Sequence, residues 1–129
     1  MALVIRTAIQ MRFADVDSFG HVNNVAQQNY FDVGKTELFR ELWRRTGALE
    51  PIPAIIVSLQ TDFLSQIRMG EGVEVETYIE SIGEKSLTLQ QRILCGDREC
   101  SRSRTVMVCF DAQAQQSVPV PDAWREYVK

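Results

Sequence analysis

The segment from Asp15 to Asn24 concentrates side chains that can do chemistry. It holds two carboxylates, Asp15 and Asp17, followed by a glycine, the chain's one histidine, His21, and two asparagines. The segment directly precedes the helix predicted below, whose first backbone N–H groups and dipole favour negative charge. Such a helix start can polarise a carbonyl oxygen, while a nearby carboxylate attacks the carbonyl carbon or activates a water. A purely structural role also fits these residues, because Asp and Asn are preferred helix caps.

The composition restricts the other chemistries. The chain has 129 residues, 14 Lys and Arg against 17 Asp and Glu, one histidine and three cysteines. This length predicts a single domain over residues 1–129. Because the balance is slightly acidic and the longest basic run is Arg44-Arg45, we expect no nucleic-acid partner. One histidine and no Cys-x-x-Cys pair do not make a zinc ligand set, so we expect no metal.

The location of the protein is predicted from what its segments lack. No stretch approaches the ~20 apolar residues of a membrane-spanning helix. The first residues lack the basic start and long apolar region of a signal peptide. Three cysteines are an odd number for a disulfide framework, which favours free, reduced thiols. We therefore expect a cytoplasmic protein with no membrane span.

Hydrophobic periodicity predicts one long helix and about five strands. Apolar and polar residues alternate over residues 3–13, which predicts the first strand. The helix, of about 20 residues, begins with Asn23 or Asn24 as its cap and ends at Gly47. After the break at Pro51-Ile52-Pro53, the pattern predicts four more strands, from Ala54 to Phe63, Val73 to Glu80, Ser86 to Leu94 and Arg102 to Phe110.

The order of these elements predicts the architecture. Short links favour antiparallel neighbours, and a single amphipathic helix must bury its apolar side on the one sheet available. The predicted fold class is α+β, with one long helix wrapped by a curved antiparallel sheet. Residues 119–129 form either a short terminal helix or an ordered tail. Because one helix covers one face of the sheet, we expect self-association as a homodimer or a dimer of dimers.

Residues 12–24, which end in Gly-His-Val-Asn-Asn, and the run Asn29-Tyr30-Phe31-Asp32 carry a family resemblance. They resemble the signature of the 4-hydroxybenzoyl-CoA thioesterase-like branch of the hotdog-fold acyl-CoA thioesterases. The resemblance continues in order through residues 62–71, 82–87 and 119–121. It implies the hotdog fold, in agreement with the architecture above, and hydrolysis of an acyl-CoA to free acid and coenzyme A. No cofactor is implied, because coenzyme A is part of the substrate.

The resemblance also implies catalytic roles. Asp17 matches the family's catalytic carboxylate, which acts as a nucleophile or as a general base toward water. The backbone N–H around Asn24 matches the group that polarises the thioester carbonyl. Because a thiolate leaves readily, these two groups suffice without a Ser-His-Asp triad. His21 either orients Asp17 or holds a water, or its ring satisfies backbone groups of the turn, and we favour the structural role.

The remaining candidates concern binding. Asn23 either fixes the loop or touches the substrate. Gln27 stands where family members commonly have an aromatic residue, and one turn into the helix it would give the acyl pocket a polar wall. Lys85 matches a family position that often meets the phosphates of coenzyme A. Ser86 lies beside Lys85, and Arg68 is a weaker candidate for the same contact.

Three alternative functions stay open on the sequence. A thioesterase for acyl-carrier-protein shares the thioester and the pantetheine arm, although the formal charge of −3 does not suggest a basic surface for an acidic carrier. A hydratase is disfavoured, because those enzymes resemble D-x-N-P-x-H, whereas His21 follows Asp17 by four residues without a proline. A non-catalytic acyl-CoA-binding module is favoured by Gln27 alone.

Overall fold

The computed structural model describes residues 1–47 and 54–129 and confirms the predicted order of elements. In chain order these are β1 (Val4–Ile9), α1 (Asn24–Thr46), β2 (Ala54–Phe63), β3 (Val73–Ile82), β4 (Ser86–Cys95), β5 (Arg98–Asp111) and β6 (Gln116–Ser117). Two 3-10 helices span Phe13–Asp15 and Asp122–Tyr127, the second of them within the predicted terminal segment. The break predicted at residues 51–53 lies outside the described residues.

The strands form one antiparallel sheet that wraps α1. The strand order is β1-β3-β4-β5-β2, and the short β6 pairs with β5. The helix packs mainly on β1, β3 and β4. Its buried apolar residues recur at helical spacing: Ala26, Tyr30, Phe31, Leu38 and Leu42. This is the predicted α+β architecture, with β6 as an additional strand.

The apolar core forms two clusters along the helix. One cluster contains Val22, Phe31, Ile67, Ile93 and Cys100, and it lies under the start of α1. The other surrounds the second half of the helix and contains Leu38, Leu42, Leu87, Leu89 and Trp124. Fully burying one such side chain contributes about 1.5–3 kcal/mol. The first cluster therefore anchors the loop that precedes the helix.

Both predicted ends of α1 are confirmed. Asn23 is the N-cap, and its Oδ1 accepts a hydrogen bond from the N–H of Ala26 at 2.7 Å. At the other end Gly47 has φ 74°, and its N–H donates to the carbonyl of Trp43 at 3.0 Å. Glycine adopts this left-handed conformation without strain, which ends the helix there.

The limits of two strands, β1 and β5, differ from the prediction by four residues at one end. β1 ends at Ile9 because the chain turns into a 3-10 helix at Phe13, where the carboxylate of Asp15 accepts the N–H of Arg12 at 3.0 Å. As a result Phe13 is 86% exposed instead of continuing the strand. β5 begins four residues before the predicted Arg102, since a tight turn at Gly96, with φ 62°, leads directly into it.

The helix comes unusually close to the sheet at Gly34. A Cβ atom at this position would lie 2.7 Å from Oγ1 of Thr77, 2.7 Å from Cγ1 of Val75 and 2.9 Å from Nε2 of Gln91. Real Cβ atoms do not approach other heavy atoms so closely. The absence of a side chain at Gly34 therefore sets the distance between α1 and the strands β3 and β4.

Gly34→Ala is expected to lower the free energy of unfolding by about 1–2 kcal/mol. Overpacking a core costs about 1–3 kcal/mol, and such close contacts belong in the upper part of this range. This cost exceeds the stabilisation of about 1 kcal/mol that alanine gives over glycine in a helix. Urea denaturation measures the change. The control is Gly72→Ala, because a Cβ at Gly72 would have no neighbour within 4 Å. Equal stability of the two variants would contradict this account.

Candidate active site

The loop before α1 is a tight, closed turn that carries Asp17. Val16 and Val22 form an antiparallel bridge across its base. Within it the N–H of Asp17 donates to the carbonyl of His21 at 2.9 Å, and the N–H of Gly20 donates to the carbonyl of Asp17 at 3.0 Å. Gly20 has φ 80°, a conformation that glycine adopts readily. These backbone hydrogen bonds fix the position of the Asp17 Cα atom, from which the side chain extends.

The connection between β2 and β3 holds this loop in place. The N–H of Val22 donates to the carbonyl of Ile67 at 2.7 Å. Next to this contact, His21 and Arg68 form an isolated antiparallel bridge. Ile67 is fully buried in the cluster under the start of the helix. The loop is therefore attached to the core as well as to α1.

The two carboxylates of the loop have different environments. Asp15 is only 2% exposed, and its carboxylate accepts hydrogen bonds from the hydroxyl of Tyr30 at 2.7 Å and from the guanidinium of Arg12 at 2.9 Å. Burial by itself raises the pKa of Asp15, but the bonds from the Arg12 backbone, from Tyr30 and from the Arg12 side chain outweigh it and lower the pKa. Asp15 is therefore a structural anion, and its bond with Tyr30 joins the loop to the helix.

Tyr30 complements this arrangement. Burial is the largest effect on its hydroxyl, and together with the hydrogen bond to Asp15 it raises the pKa of Tyr30. The hydroxyl therefore stays protonated and keeps donating to the carboxylate. Sequence reasoning missed Tyr30 as a partner of Asp15, because 15 residues separate them and no local pattern joins them.

Asp17, in contrast, is exposed. Its Oδ1 accepts hydrogen bonds from the N–H groups of Phe19 at 2.9 Å and His21 at 3.3 Å. Its Oδ2 has no hydrogen-bond partner among the described residues. One oxygen thus orients the carboxylate, and the other is available to a reacting group.

His21 contributes to the loop through its backbone. Its carbonyl and its N–H both bond to Asp17. Its imidazole makes no hydrogen bond within residues 1–47 and 54–129. The role of the ring stays a prediction.

The start of α1 offers an unpaired backbone donor. The side chain of Asn23 is occupied in capping Ala26, and its carbonyl accepts the N–H of Gln27 at 3.1 Å. Asn24 is the first helical residue and is exposed, and its N–H has no acceptor in the part of the chain that the structure describes. This N–H lies at the positive end of the helix dipole, directly after the loop that holds Asp17.

Gln27 lies in the interior next to the same loop. Only 5% of the residue is exposed, and its Nε2 donates to the carbonyl of Val22 at 3.3 Å. Its Oε1 is buried and has no hydrogen-bond partner in the described part of the chain. Gln27, which is predicted to give the acyl pocket a polar wall, thus lies one turn into the helix and hydrogen-bonds to the loop.

A cleft of about 320 Å³ opens beside Arg68 and is lined by Ser65, Gln66, Arg68, Glu71 and Arg98. Arg98 is held there by an ion pair with Glu71 at 2.5 Å. Arg68 forms no ion pair with any described residue. Since its backbone is bridged to His21, Arg68 is a cation close to the loop and available to an anionic group.

Lys85 and Ser86 lie at the opposite end of the sheet from Asp17. Lys85 is in the turn between β3 and β4, and its carbonyl accepts the N–H of Cys109 at 2.9 Å. The other end of β3 begins at Val73, in the cluster under the loop. Because β3 has 10 residues, its two ends are roughly 30 Å apart. One chain does not bring Lys85 and Asp17 together.

The comparison with protein families identifies the chain. A family model described as the thioesterase-like superfamily matches residues 11–128. The chain belongs to the thioesterase-like superfamily. The predicted thioesterase from Bacillus stearothermophilus has a similar solved structure, with 30% identity, a TM-score of 0.86 and coverage of 98% of both chains. These findings confirm the predicted enzyme class, a thioester hydrolase.

Two further solved structures share the fold of this thioesterase. A thioesterase from Thermus thermophilus complexed with coenzyme A and Zn is 24% identical, with a TM-score of 0.81 and coverage of 96% of both chains. A mutant 4-hydroxybenzoyl-CoA thioesterase complexed with 4-hydroxybenzoyl-CoA is 18% identical, with a TM-score of 0.81 and coverage of 94% of this chain and 95% of that chain. The predicted hotdog fold is thereby confirmed, and the family supports acyl-CoA thioesterase activity in general.

Other features of the thioesterase concern metals, thiols and membranes. Within the described residues, no group of three or more His, Cys, Asp or Glu side chains is placed to hold a metal ion. The three cysteines Cys95, Cys100 and Cys109 are free. No helix in the described part of the chain is long and apolar enough to cross a membrane.

Proposed function

We propose that this thioesterase hydrolyses an acyl-CoA to the free acid and coenzyme A, with Asp17 as the reacting carboxylate. One observation carries the assignment: of the two carboxylates in the loop, Asp15 is buried with all its contacts engaged, whereas Asp17 is exposed with Oδ2 unpartnered among the described residues. The loop places this carboxylate directly before the start of α1.

The reaction needs negative charge to be stabilised on the thioester oxygen. The N–H of Asn24 and the helix dipole are the groups that would receive it, and one such donor contributes about 2.7–4 kcal/mol. In one route Asp17 bonds to the carbonyl carbon, the C–S bond breaks, coenzyme A leaves as a thiolate that takes a proton from water, and a second water hydrolyses the anhydride. In the other, Asp17 takes a proton from a water that attacks the carbon directly, the C–S bond breaks, and the thiolate of coenzyme A takes up that proton.

Self-association forms part of the proposal, and strand β2 supports it. Among residues 1–47 and 54–129, β2 pairs with β5 along one edge only, so its other edge has backbone groups that no described strand pairs with. Along its length large apolar side chains are 43–56% exposed: Ile55, Ile56, Val57, Leu59 and Phe63. A long, apolar, exposed edge strand favours pairing with another chain. We expect two copies to pair through β2, and a dimer of dimers stays a prediction.

Antiparallel pairing of two β2 strands would also complete the substrate site. β2 ends at Phe63 on the side of the catalytic loop, and it begins at Ala54, which pairs with Cys109 near Lys85. A two-fold axis across β2 therefore places the Ala54 end of one copy beside the Phe63 end of the other. The exposed Lys85, with Ser86, would then meet the nucleotide of a substrate held by Asp17 of the other copy, and Arg68 would meet it from the same copy as Asp17.

Leu59→Glu is expected to convert the dimer into a monomer. A carboxylate on the apolar edge strand must lose its hydration when two β2 strands pair, which disfavours the interface. Light scattering should give twice the chain mass of 14.7 kDa for the wild type and a single chain mass for the variant. The matched control is Val4→Glu on the edge strand β1, where Val4 is 40% exposed. A wild-type monomer at micromolar concentration would contradict the proposal.

A thiol-release assay tests the function. Short, long and aromatic acyl-CoAs are offered to the purified protein, and free coenzyme A is measured with a thiol reagent. The same acyl groups on an acyl carrier protein test the rival substrate class. Release from acyl-CoA supports the proposal, whereas binding without turnover, or turnover of the carrier-protein thioesters alone, would contradict it. The cytoplasmic location stays a prediction.

A further inference from the structure

A groove of about 530 Å³ lies between the end of β1 and the first half of α1. The chain lines it with residues 8–10 and Arg12 at the end of β1, and with Asn29, Tyr30 and Val33 from the helix. Sites for small molecules in proteins are clefts of about 300–1,000 Å³. The groove is therefore large enough to hold a small organic ligand.

The groove is separate from the candidate active site and from the proposed contact between two copies. Neither Asp17 nor Asn24 lines it. In the strand order β1-β3-β4-β5-β2, β1 is one edge of the sheet and β2 is the other. Pairing of two copies through β2 therefore leaves the groove beside β1 uncovered.

One part of the groove is apolar. Ile9 is half-buried and packs against the cluster under the start of α1, to which the buried Tyr30 belongs. Val33, on the helix, is 45% exposed. Covering apolar surface contributes about 25 cal/mol per Å². A ligand with an apolar body would gain this free energy by lying against these side chains.

Arg12 gives the groove a cation with unused donors. Its side chain is 67% exposed, and its Nε and Nη2 donate to Oδ1 of Asp15 at 3.2 and 2.9 Å. A guanidinium has five N–H donors in a planar fork, so the edge formed by Nη1 and Nη2 still has donors that no described residue accepts. Two parallel N–H groups match the two oxygens of a carboxylate.

Two amides stand beside this cation. Gln10 and Asn29 are exposed, and neither side chain makes a hydrogen bond within residues 1–47 and 54–129. Each amide can donate and accept. The groove thus combines an apolar part with one cation and two polar groups, which is the composition of a small-molecule site.

We propose that this groove binds a small carboxylic acid in its ionised form. The carboxylate bonds to the Nη1–Nη2 edge of Arg12, and the apolar body lies against Ile9, Tyr30 and Val33. The inference does not depend on the proposed acyl-CoA hydrolysis, although the acid that a thioester hydrolase releases belongs to this chemical class. The ligand would touch Arg12 and Tyr30, the two side chains that bond to Asp15 in the candidate catalytic loop.

Other head groups fit the groove less well. Arg12 is the one charged residue that lines it among the described residues, and its charge is already shared with Asp15. A phosphate with two negative charges would find too little positive charge there. A cationic amine would be repelled by the guanidinium. A single negative charge on a planar group is therefore the best match.

Titrations followed by NMR test the inference. The probes are octanoate, its neutral counterpart octanamide and the cation octylammonium, added to the 15N-labelled full chain with coenzyme A in excess. We expect octanoate to shift the backbone amide signals of residues 8–10 and Val33, with a Kd of about 0.1–1 mM. Octanamide should bind about fivefold more weakly and octylammonium more weakly still.

Two variants assign the binding to the groove. Arg12→Gln should weaken octanoate binding about fivefold, to the level of octanamide, because the cation is lost. Val33→Glu should weaken it about tenfold or more, since it places a negative charge on the apolar part. The matched controls are Arg6→Gln, because Arg6 is also an exposed, ion-paired arginine of the β1 segment, and Thr36→Glu on the exposed surface of α1. Both controls should keep the wild-type Kd.

The remaining outcomes would overturn the inference. Equal Kd values for octanoate and octanamide would show that the groove does not select a carboxylate. Shifts confined to residues 17–24, or lost when coenzyme A is added, would place the acid in the candidate active site instead. A wild-type mass of four chains that Val33→Glu reduces to two, without octanoate shifts, would show that a second copy covers the groove. Each of these results leaves the proposed thioester hydrolysis to its own thiol-release assay.

Discussion

Asp17→Asn is expected to lower the rate of thiol release from acyl-CoA at least about 10²-fold. The substitution removes the charge needed for attack or for proton abstraction. It keeps an oxygen that can accept the hydrogen bonds from the N–H groups of Phe19 and His21, now made by Oδ1 of Asp17 at 2.9 and 3.3 Å. The loop should therefore keep its shape, and the free energy of unfolding should change by less than about 0.5 kcal/mol.

The matched control for this experiment is Asp111→Asn. Asp111 is also exposed, and its Oδ1 also accepts two hydrogen bonds from following backbone groups, from Gln113 at 2.9 Å and Ala114 at 3.2 Å. Asp111→Asn therefore makes the same chemical change and removes the same charge from a similar turn, at the end of β5. The control should keep wild-type activity. An unchanged rate in Asp17→Asn would exclude Asp17 as nucleophile or base.

Asp15→Asn is expected to act on stability, whereas Asp17→Asn acts on activity. Its loss of stability should be the largest of the variants considered. Asp15 accepts the hydroxyl of Tyr30 and the backbone N–H of Arg12 in the interior, and bonds to a charged acceptor contribute about 1.5–3 kcal/mol each. The Arg12 side chain is 67% exposed, so its ion pair adds little. Because an Asn side chain keeps one oxygen that accepts a hydrogen bond, the loss is smaller than the sum of the two bonds. We expect the free energy of unfolding, measured in urea, to fall by about 2–3 kcal/mol. A loss no larger than that of Asp17→Asn would contradict this role.

The effect of Asp15 should also depend on pH in a defined direction. Its pKa in the folded protein is lowered, since the bonds from Arg12 and Tyr30 outweigh the effect of burial. The ionised form therefore stabilises the fold fully above the unfolded-chain pKa of about 3.9. This stabilisation is lost as the pH falls through the lower, folded-state pKa. The difference between wild type and Asp15→Asn should thus be constant at neutral pH and shrink in strongly acidic solution.

Local sequence was sufficient to predict the helix and most strand limits. Asn23 and Gly47 end α1 through contacts that span four residues or fewer, so the signal is contained in the neighbouring sequence. The strands of the sheet follow from period-two alternation, which depends only on the residues of each strand. The first strand was predicted too long, because the turn at Phe13 depends on a side-chain bond between Asp15 and Arg12 that alternation does not encode.

The residue types in the sequence do not show which of the two aspartates is structural and which one reacts. Both are carboxylates in one short segment before a helix, and both suit a cap or a catalyst. The resemblance favoured Asp17, but burial distinguishes them physically. Asp15 is enclosed by Tyr30, a residue on the second turn of α1. That contact exists only after the loop folds back on the helix.

The sequence by itself thus determined the elements, their order and the segment that carries the reacting groups. The alternating Ser101, Ser103 and Thr105 were visible in it, yet their alignment with Gln91 and Thr61 arises from the register between strands distant in the chain. Tertiary structure likewise decided that Asp15 is buried and Asp17 exposed, and that Lys85 lies at the far end of the sheet. The reason is that helices, caps and turns depend on neighbouring residues, whereas burial and register depend on contacts between segments far apart in sequence.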